Sequence, residues 1–391
     1  MMAEENAGGT RIEPLFPVAL DFEIPDAAET FAEVKRLILE NYYHESISEE
    51  ALYWAAIQGM LRRISPPDDP ELSRIWTASE YERILSSLEG VDVSLGIRST
   101  FNQAEGSLTV TEIEPEAPSA DILRVRDRIL RIDGEALRGK EVAEVNRLLA
   151  GEAGSEVTLT INRDIRVFEV RLTRERFNTR QLHIHRLNHE IALMEIRSFP
   201  QGISEKIERE ARKLKEDGVR ALILDVRNNG GGVFSEGLRT ANLFVQAQGI
   251  VLRTFSQAER LQNYVSGAEE PLDFHIALLI NNSSASASEM LVGALRDQLG
   301  AFVVGHRSHG KGVFERTFTL ENEFRVKFIT GVMYTPKGVP WQGRGLTPDY
   351  LVEQDAETVN ALRRLDIETR YPRDVALVTA VKLLELRLQA E

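Results

Sequence analysis

Three short apolar runs, separated by helical patterns, constrain the fold of this chain more than any other feature. The runs occupy residues 220–226, 276–280 and 302–304. Each has the length and composition of a buried strand. An amphipathic pattern over 203–216 precedes the first run, and another helical pattern, ending near Leu299, separates the last two. Strands joined by helices pair in parallel through right-handed crossovers. The sequence therefore predicts an α/β domain over residues 176–354.

The first 90 residues indicate a flexible leader over 1–25 and a helical N-terminal domain over 26–90. Asp26 and Glu29 have the spacing of a capping box, which predicts the start of a helix. Apolar residues then recur at helical spacing as far as Tyr42 and predict one buried stripe. Two further helical patterns follow, at residues 49–63 and 79–89.

Residues 91–175 change to the period of strands and predict a compact β-rich module. Its apolar or alternating runs lie at 107–113, 128–134 and 157–163. One helical pattern, over 141–149, interrupts them. Beyond the parallel region, runs at 313–320 and 324–334 predict a hairpin, and the segment 355–391 is predicted to be helical.

Charge and composition exclude several classes of function. A net charge of −14 without a cluster of Lys and Arg argues against a nucleic-acid interface. The chain has no cysteine, which excludes disulfides and thiol chemistry. No apolar run reaches the roughly 18 residues of a membrane span. The first 25 residues carry no signal-peptide pattern, so we expect no membrane span and a cytoplasmic location.

A serine-rich turn opens the helical pattern that follows the second apolar run. Ser286 lies three residues before Glu289, and an ordinary helix cap is one interpretation of that spacing. A nucleophile is the other interpretation. A buried strand that leads through small residues into a helix holds a hydroxyl at the mouth of a cleft, and the N–H groups of the helix start favour a developing oxyanion.

A serine nucleophile needs a base, because its hydroxyl is a poor nucleophile at neutral pH. Lys311 follows Ser286 in the chain and lies between Gly310 and Gly312, which permit a close approach to neighbouring backbone. Desolvation lowers the pKa of a lysine and lets it act as a base. A solvated loop cation is the alternative.

Three glycines, Gly230, Gly231 and Gly232, come shortly after the first apolar run. Such glycines let backbone N–H groups turn toward a ligand, and a surface turn is the alternative. A phosphate-binding loop is excluded, because neither a dinucleotide fingerprint nor a Walker pattern is present.

Four blocks of sequence, in order, resemble the motifs of the carboxy-terminal processing peptidases, also called tail-specific proteases. The blocks are residues 225–232, 284–289, 310–312, and a closing segment with 334–336 and 342–349. Residues 56–61 of the helical domain also fit. The resemblance covers most of residues 27–355.

The resemblance implies a serine protease that needs no cofactor and no metal. It implies Ser286 as the nucleophile, Lys311 as the general base, and an oxyanion hole made by the backbone of Ala287 and of Gly231 or Gly232. The implied fold is multi-domain α/β, with a spiral ββα catalytic core like that of the Clp protease and crotonase enzymes. An inserted PDZ domain and a helical N-terminal leader complete it.

In that PDZ domain, Ser94, Leu95, Gly96 and Ile97 lie where such domains bind the terminal carboxylate of a peptide. The partners implied are protein or peptide substrates with free C-termini, bound by β-augmentation. Apolar stripes on the leader helices and on the C-terminal helix also leave room for a homodimer.

Three positions depart from the family pattern. Glu315 stands where the family usually has Gln, four residues after the lysine. A carboxylate beside Lys311 would raise its pKa and oppose its work as a base, or would fix it through a salt bridge. Residues 65–69 replace the usual Asp-Pro-His-Ser stretch, and Arg126 replaces a glycine of the PDZ domain.

Two histidine groups offer competing sites. His306 and His309 lie near Lys311 and suggest a Ser-His arrangement, but no carboxylate matches them. His183, His185 and His189 superficially suggest metal ligands, yet lack a carboxylate or cysteine at ligand spacing. We expect neither site.

The leading hypothesis is an ATP-independent serine endopeptidase that cleaves proteins near or from their C-termini after its PDZ domain has bound them. A catalytically silent PDZ scaffold, motivated by Glu315, is the second hypothesis. A non-peptide hydrolase on a related core is the third. Relatives with this architecture are usually exported, which makes a periplasmic or extracytoplasmic location the alternative to the cytoplasm.

Overall fold

The computed structural model describes residues 23–44, 46–67, 69–70, 72–88, 91–113, 117–178 and 181–390. Most of the expected leader, residues 1–22, lies outside the described residues. The chain divides into two compact units. The first comprises Met1–Tyr81 and Val313–Gly331, and the second Glu82–Gly312 and Val332–Glu391.

The helices are α1 Ala27–Asn41, α2 Glu49–Arg63, α3 Ala78–Leu88, α4 Val142–Leu149, α5 Ile203–Glu216, α6 Phe234–Asn242, α7 Ala287–Leu299, α8 Ala356–Arg363, α9 Ile367–Arg370 and α10 Val375–Gln389. The strands are β1 Arg74–Trp76, β2 Val91–Ser94, β3 Ile97–Asn102, β4 Ser107–Ile113, β5 Arg128–Ile132, β6 Glu135–Ala136, β7 Glu156–Arg163, β8 Arg166–Thr173, β9 Glu175–Asn178, β10 Leu182–Arg186, β11 Ile191–Ile196, β12 Ala221–Asp225, β13 Ile250–Ser256, β14 Arg260–Val265, β15 His275–Ile280, β16 Phe302–Gly305, β17 Val313–Thr319, β18 Arg325–Tyr334 and β19 Tyr350–Leu351.

In the first unit, β1 pairs antiparallel with β18, and β17 also pairs with β18, which confirms the predicted hairpin. The predicted start of α1 is confirmed, since Asp26 is its N-cap residue, but two details of the prediction are wrong. The side chain of Asp26 makes no capping hydrogen bond, because the residue adopts a left-handed conformation at φ 45°. The apolar stripe is exposed, with no buried residue on α1, because helical periodicity reports an apolar face and not what covers it.

The β-rich module of the second unit is a sheet of order β3-β4-β5-β7-β8, with β6 on β5. Its buried residues include Leu108, Ile129, Leu159 and Ile161 from the strands and Val145 from α4. The inward-facing residues alternate along β7, as the period of the sequence predicts.

The main sheet of the second unit has the order β10-β11-β12-β15-β16-β19. Strands β11, β12, β15, β16 and β19 pair in parallel, and β10 is antiparallel to β11. The prediction of parallel pairing is therefore confirmed. Loops at the carboxyl ends of β12, β15 and β16 carry the three sequence blocks of interest, which is where ligands bind in open α/β sheets.

Helix α10 packs its apolar stripe against this sheet. Leu377, Ala380, Val381 and Leu384 are buried with residues of β11, β12, β15 and β16 in one hydrophobic cluster. Burying a leucine side chain stabilises a fold by about 1.5–3 kcal/mol. This stripe is therefore covered within the chain, and the homodimer stays a prediction. None of the described helices has both the length and the apolar character needed to cross a membrane.

Candidate active site

The turn between β15 and α7 is hydrogen-bonded to the loop after β12. The Ser284 hydroxyl donates to the Val226 carbonyl at 2.7 Å and accepts from the Asn281 amide at 3.0 Å. The Asn229 carbonyl accepts from the Ala285 amide at 3.0 Å and from the Ser288 hydroxyl at 2.9 Å. The serines around position 286 therefore have a structural role, which fixes the turn against the glycine loop.

Ser286 itself has a strained backbone, with φ 57° and ψ −116°. An ordinary N-cap residue adopts the β region instead. Such strain costs about 1–3 kcal/mol and persists at functional sites, as at the strand-to-helix turn that exposes the nucleophile in α/β-hydrolases. The cap interpretation is also confirmed, since Glu289 accepts from the Ser286 amide as in a capping box. The strained backbone of Ser286, which a cap does not need, favours a nucleophile in addition.

Glu289 joins the backbones of the two predicted catalytic residues. Its Oε2 accepts from the Ser286 amide at 2.9 Å and from the Lys311 amide at 2.8 Å. Its Oε1 accepts from the Gly310 amide at 2.7 Å and from the Ser308 hydroxyl at 2.5 Å. Glu289 is fully buried, and burial raises its pKa against these four hydrogen bonds, which favour the ionised form.

The closing segment packs against the loop that carries Lys311. The Gly312 amide donates to Gln342 Oε1 at 2.7 Å, and the Gly343 amide donates to the Gly310 carbonyl at 2.8 Å. A Cβ atom at Gly312 would lie 2.6 Å from the Gln342 nitrogen, so only glycine fits. The close approach predicted for the glycines beside Lys311 is confirmed.

Gly231 packs directly against the serine turn. A Cβ atom there would lie 2.8 Å from the Cβ of Ser286 and 3.1 Å from the Ala287 nitrogen. The Gly231 amide donates to Asn229 Oδ1 at 2.8 Å, so it is not available for a ligand. Among the described residues, the amides of Gly232 and Ala287 have no hydrogen-bond acceptor, and Gly232 is exposed. Of the two glycines predicted, Gly232 is the better suited to an oxyanion.

A buried group of charges next to this loop was not found from the sequence. Arg227 is 1% exposed and forms ion pairs of 2.8 Å with Asp225 and with Asp374. The partner Asp374 lies at the start of α10, far along the chain. The one signal in the sequence was an arginine directly after a buried strand, and nothing in the pattern names its distant partner.

The remaining predicted residues give a mixed result. Glu315 lies on β17 and is half-buried, and its predicted effect on the base stays a prediction. His309 is exposed, and its backbone amide donates to the Ser284 carbonyl at 2.9 Å. His185 and His189 have different carboxylate neighbours, Glu195 at 3.7 Å and Glu190 at 3.4 Å.

The four predicted PDZ residues form a turn between β2 and β3. Ser94 ends β2, Gly96 has φ 68°, and Ile97 begins β3. Leu95 is buried in the core of the module, and its carbonyl accepts from the Ser119 hydroxyl at 2.5 Å. Arg126 adopts φ 79°, the left-handed conformation for which glycine is the usual choice.

Comparison with known proteins identifies two regions of the chain by similarity. Residues 190–352 match the model of peptidase family S41, and residues 109–163 match that of a PDZ domain. A protein of Staphylococcus saprophyticus described as a probable CtpA-like serine protease is 26% identical over 321 residues, which is 81% of this chain and 64% of that relative. A protein of Staphylococcus aureus with the same description is 28% identical over 319 residues, or 81% of this chain and 63% of the relative. The chain thus matches less than two thirds of the length of these relatives.

Two solved structures share the fold. The photosystem II D1 C-terminal processing protease superposes with a TM-score of 0.54 at 23% identity, covering 89% of this chain and all of that one. A Bacteroides fragilis chain described as an S41 protease superposes with a TM-score of 0.61 at 16% identity, covering 90% of this chain and 97% of its own.

The chain thus combines a mixed α/β fold with one region, residues 190–352, that is similar to S41 peptidases and another, residues 109–163, that is similar to PDZ domains. The resemblance to the carboxy-terminal processing peptidases that the sequence blocks predicted is confirmed.

Proposed function

We propose that this chain is an ATP-independent serine endopeptidase with a Ser286–Lys311 dyad. The observation that carries the proposal is the carboxylate of Glu289, which holds the amides of both residues on one oxygen atom. The strained backbone of Ser286 supports it, because a helix cap needs no such conformation.

In the proposed reaction, Ser286 Oγ attacks the peptide carbonyl carbon and its proton passes to the neutral amine of Lys311. The amides of Ala287 and Gly232 donate to the oxyanion of the tetrahedral intermediate. Lys311 then gives the proton to the leaving amine as the C–N bond breaks, which leaves an acyl-enzyme on Ser286. A water molecule attacks the ester, Lys311 takes its proton, and the acid product leaves as Ser286 recovers the proton.

The proposed substrates are proteins and peptides with free C-termini, held by the PDZ domain before cleavage. The match of residues 109–163 supports peptide binding as the role of that domain. The turn of residues 94–97 lies before β3, which puts its amides near the start of a strand that could pair with a peptide.

Cleavage of unfolded casein and of peptides with apolar C-termini tests the proposal. We expect wild type to cleave both and Ser286→Ala and Lys311→Ala to lose cleavage while still binding the peptides. Glu315→Gln should keep or raise the rate. Cleavage by Ser286→Ala at the wild-type rate contradicts the dyad. A wild type that binds peptides without cleaving them favours the PDZ scaffold instead.

A further inference from the structure

Six charged side chains from three separate segments are buried together in the second unit. They are Glu195 of β11, Asp225 and Arg227 at the end of β12, and Arg363, Arg370 and Asp374 of the C-terminal segment, residues 356–389. Each side chain is at most 2% exposed. These three carboxylates and three guanidinium groups are called here the buried ion network, and a further guanidinium, that of Arg197, is 12% exposed and pairs with Glu195 at 3.2 Å.

Stability alone does not explain this network. Burying charged groups costs several kcal/mol per ion, and apolar residues of similar volume are often as stable or more so in place of a buried pair. What the network supplies beyond stability is a fixed geometry, because guanidinium and carboxylate groups pair in one planar arrangement.

Arg227 is the residue where the network meets the catalytic loop, residues 225–232. Its Nη2 donates to Asp225 Oδ2 and to Asp374 Oδ2, both at 2.8 Å, and its Nη1 donates to Asp374 Oδ1 at 2.9 Å. The next residue is also tied to the C-terminal segment. Asn228 Nδ2 donates to the Ala356 carbonyl at 3.0 Å and to Asn360 Oδ1 at 2.8 Å.

The same loop then reaches the nucleophile within a few residues. Asn229 accepts from the serine turn through its carbonyl and from the Gly231 amide through its side chain. Gly231 lies so close to Ser286 that no Cβ fits between the two residues. A small shift of the catalytic loop therefore changes the distance between its backbone and that of Ser286. The position of Gly232 therefore depends on contacts made by the C-terminal segment.

We propose that the C-terminal segment is part of the catalytic apparatus. In this proposal Asp374 acts through Arg227 as a positioning residue for the catalytic loop. This inference rests on the proposed function. Displacing the segment should lower kcat and leave KM nearly unchanged, because oxyanion donors act in the transition state and not in the bound substrate.

The test replaces the pair that joins the loop to the segment. The double variant Arg227→Met/Asp374→Leu removes one charge of each sign and leaves two carboxylates and two guanidinium groups. Loss of one oxyanion donor costs about 100-fold to 1,000-fold in kcat. We expect a loss of about 30-fold or more, with KM within about threefold of wild type, and at least about tenfold faster amide hydrogen exchange over residues 226–233.

The matched control removes a two-bond ion pair that lies outside the network, in the β-rich module. There Arg163 donates through Nε and Nη2 to the two carboxylate oxygens of Asp127, at 2.7 Å each. Asp127→Leu/Arg163→Met also removes one charge of each sign and leaves the bond between Arg227 and Asp374 intact, so kcat and exchange over residues 226–233 should stay within about threefold of wild type. Asn360→Ala, which removes one hydrogen bond to the loop, should move both readouts in the direction of the first variant and by less.

Amide hydrogen exchange over residues 226–233 distinguishes a failure of the positioning role from a failure of the proposed function. If wild type cleaves nothing, the proposed function fails, and faster loop exchange in the first variant alone still supports positioning. Equal exchange in the two double variants overturns the positioning role whatever the activity. In an active enzyme, faster exchange with unchanged kcat overturns the link to catalysis. Should the first double variant not fold, Asn360→Ala decides by the same two readouts.

Discussion

Replacing Glu289 by Gln separates the positioning of the dyad from the stability of the fold. The carboxylate accepts four hydrogen bonds, two on each oxygen. The glutamine oxygen can still accept from Ser286 and Lys311, and the hydroxyl of Ser308 can turn to accept from the new NH2 group. The Gly310 amide would then face a donor and must move.

The expected loss follows from that single mismatch. Gly310 directly precedes the base, and misplacing a catalytic group by about 1 Å costs about 100-fold in rate. We therefore expect kcat to fall by about 10-fold to 100-fold. The free energy of unfolding should fall by less than about 2 kcal/mol. An unsatisfied buried donor costs about 1–3 kcal/mol, but the neutral amide avoids the cost of burying a charge, which is the cost that raises the pKa of Glu289.

Glu236→Gln is the matched control for this experiment. Glu236 is equally buried and accepts from the Ser204 amide at 3.0 Å, the Ser204 hydroxyl at 2.7 Å and Arg239 at 2.7 Å, with no hydrogen bond to the dyad. Peptide cleavage and urea unfolding of both variants give the two quantities. If Glu289→Gln keeps kcat within threefold of wild type, or if the control loses kcat equally, the positioning argument is refuted.

Three further outcomes follow from the structure. Gly231→Ala should lose at least about 100-fold in kcat/KM, since its Cβ would lie 2.8 Å from that of the nucleophile, whereas Gly230→Ala, with no atom within 4 Å of its Cβ, should keep activity within threefold. Burial alone would raise the pKa of Asp374, but its contacts with Arg227 lower that pKa below its ordinary value of 3.8. The stability that the ionised Asp374 contributes is therefore present above pH 3.8 and is lost as the pH falls further. Urea unfolding at a series of pH values should show a smaller loss of stability in acid for Arg227→Met/Asp374→Leu than for wild type. Glu315→Gln should keep or raise kcat/KM in peptide cleavage, and a clear fall in kcat/KM would contradict the idea that this carboxylate opposes the base.

Local patterns were enough to predict the elements of the core. The bounds of α5 agree with the predicted 203–216, and the strands that became β12, β15 and β16 were found from apolar runs. Their parallel pairing followed because helices connect them. The hairpin of β13 and β14 and the helix α6 were not predicted, since their patterns are short and mixed in character.

The site was predicted in part, because its motifs are local and its supports are not. Ser286, Ala287 and the glycine loop meet as expected, since each follows a strand of one sheet. Glu289 was predicted only as a cap partner, and the sequence gives no sign that its carboxylate also binds the backbone of Lys311. The ion network was missed for the same physical reason: ion pairs between residues 147 positions apart depend on how helices fold back, which no local period encodes.

Labelling with a fluorophosphonate tests the central claim most directly, because such a probe reacts only with a serine that its surroundings have activated. Intact mass and peptide mapping of the labelled protein would give the number and the position of the adducts. The account predicts one adduct on Ser286 in wild type, none in Ser286→Ala, and labelling slowed by at least about 100-fold in Lys311→Ala. Labelling of Lys311→Ala at the wild-type rate, or an adduct on another serine, would contradict it.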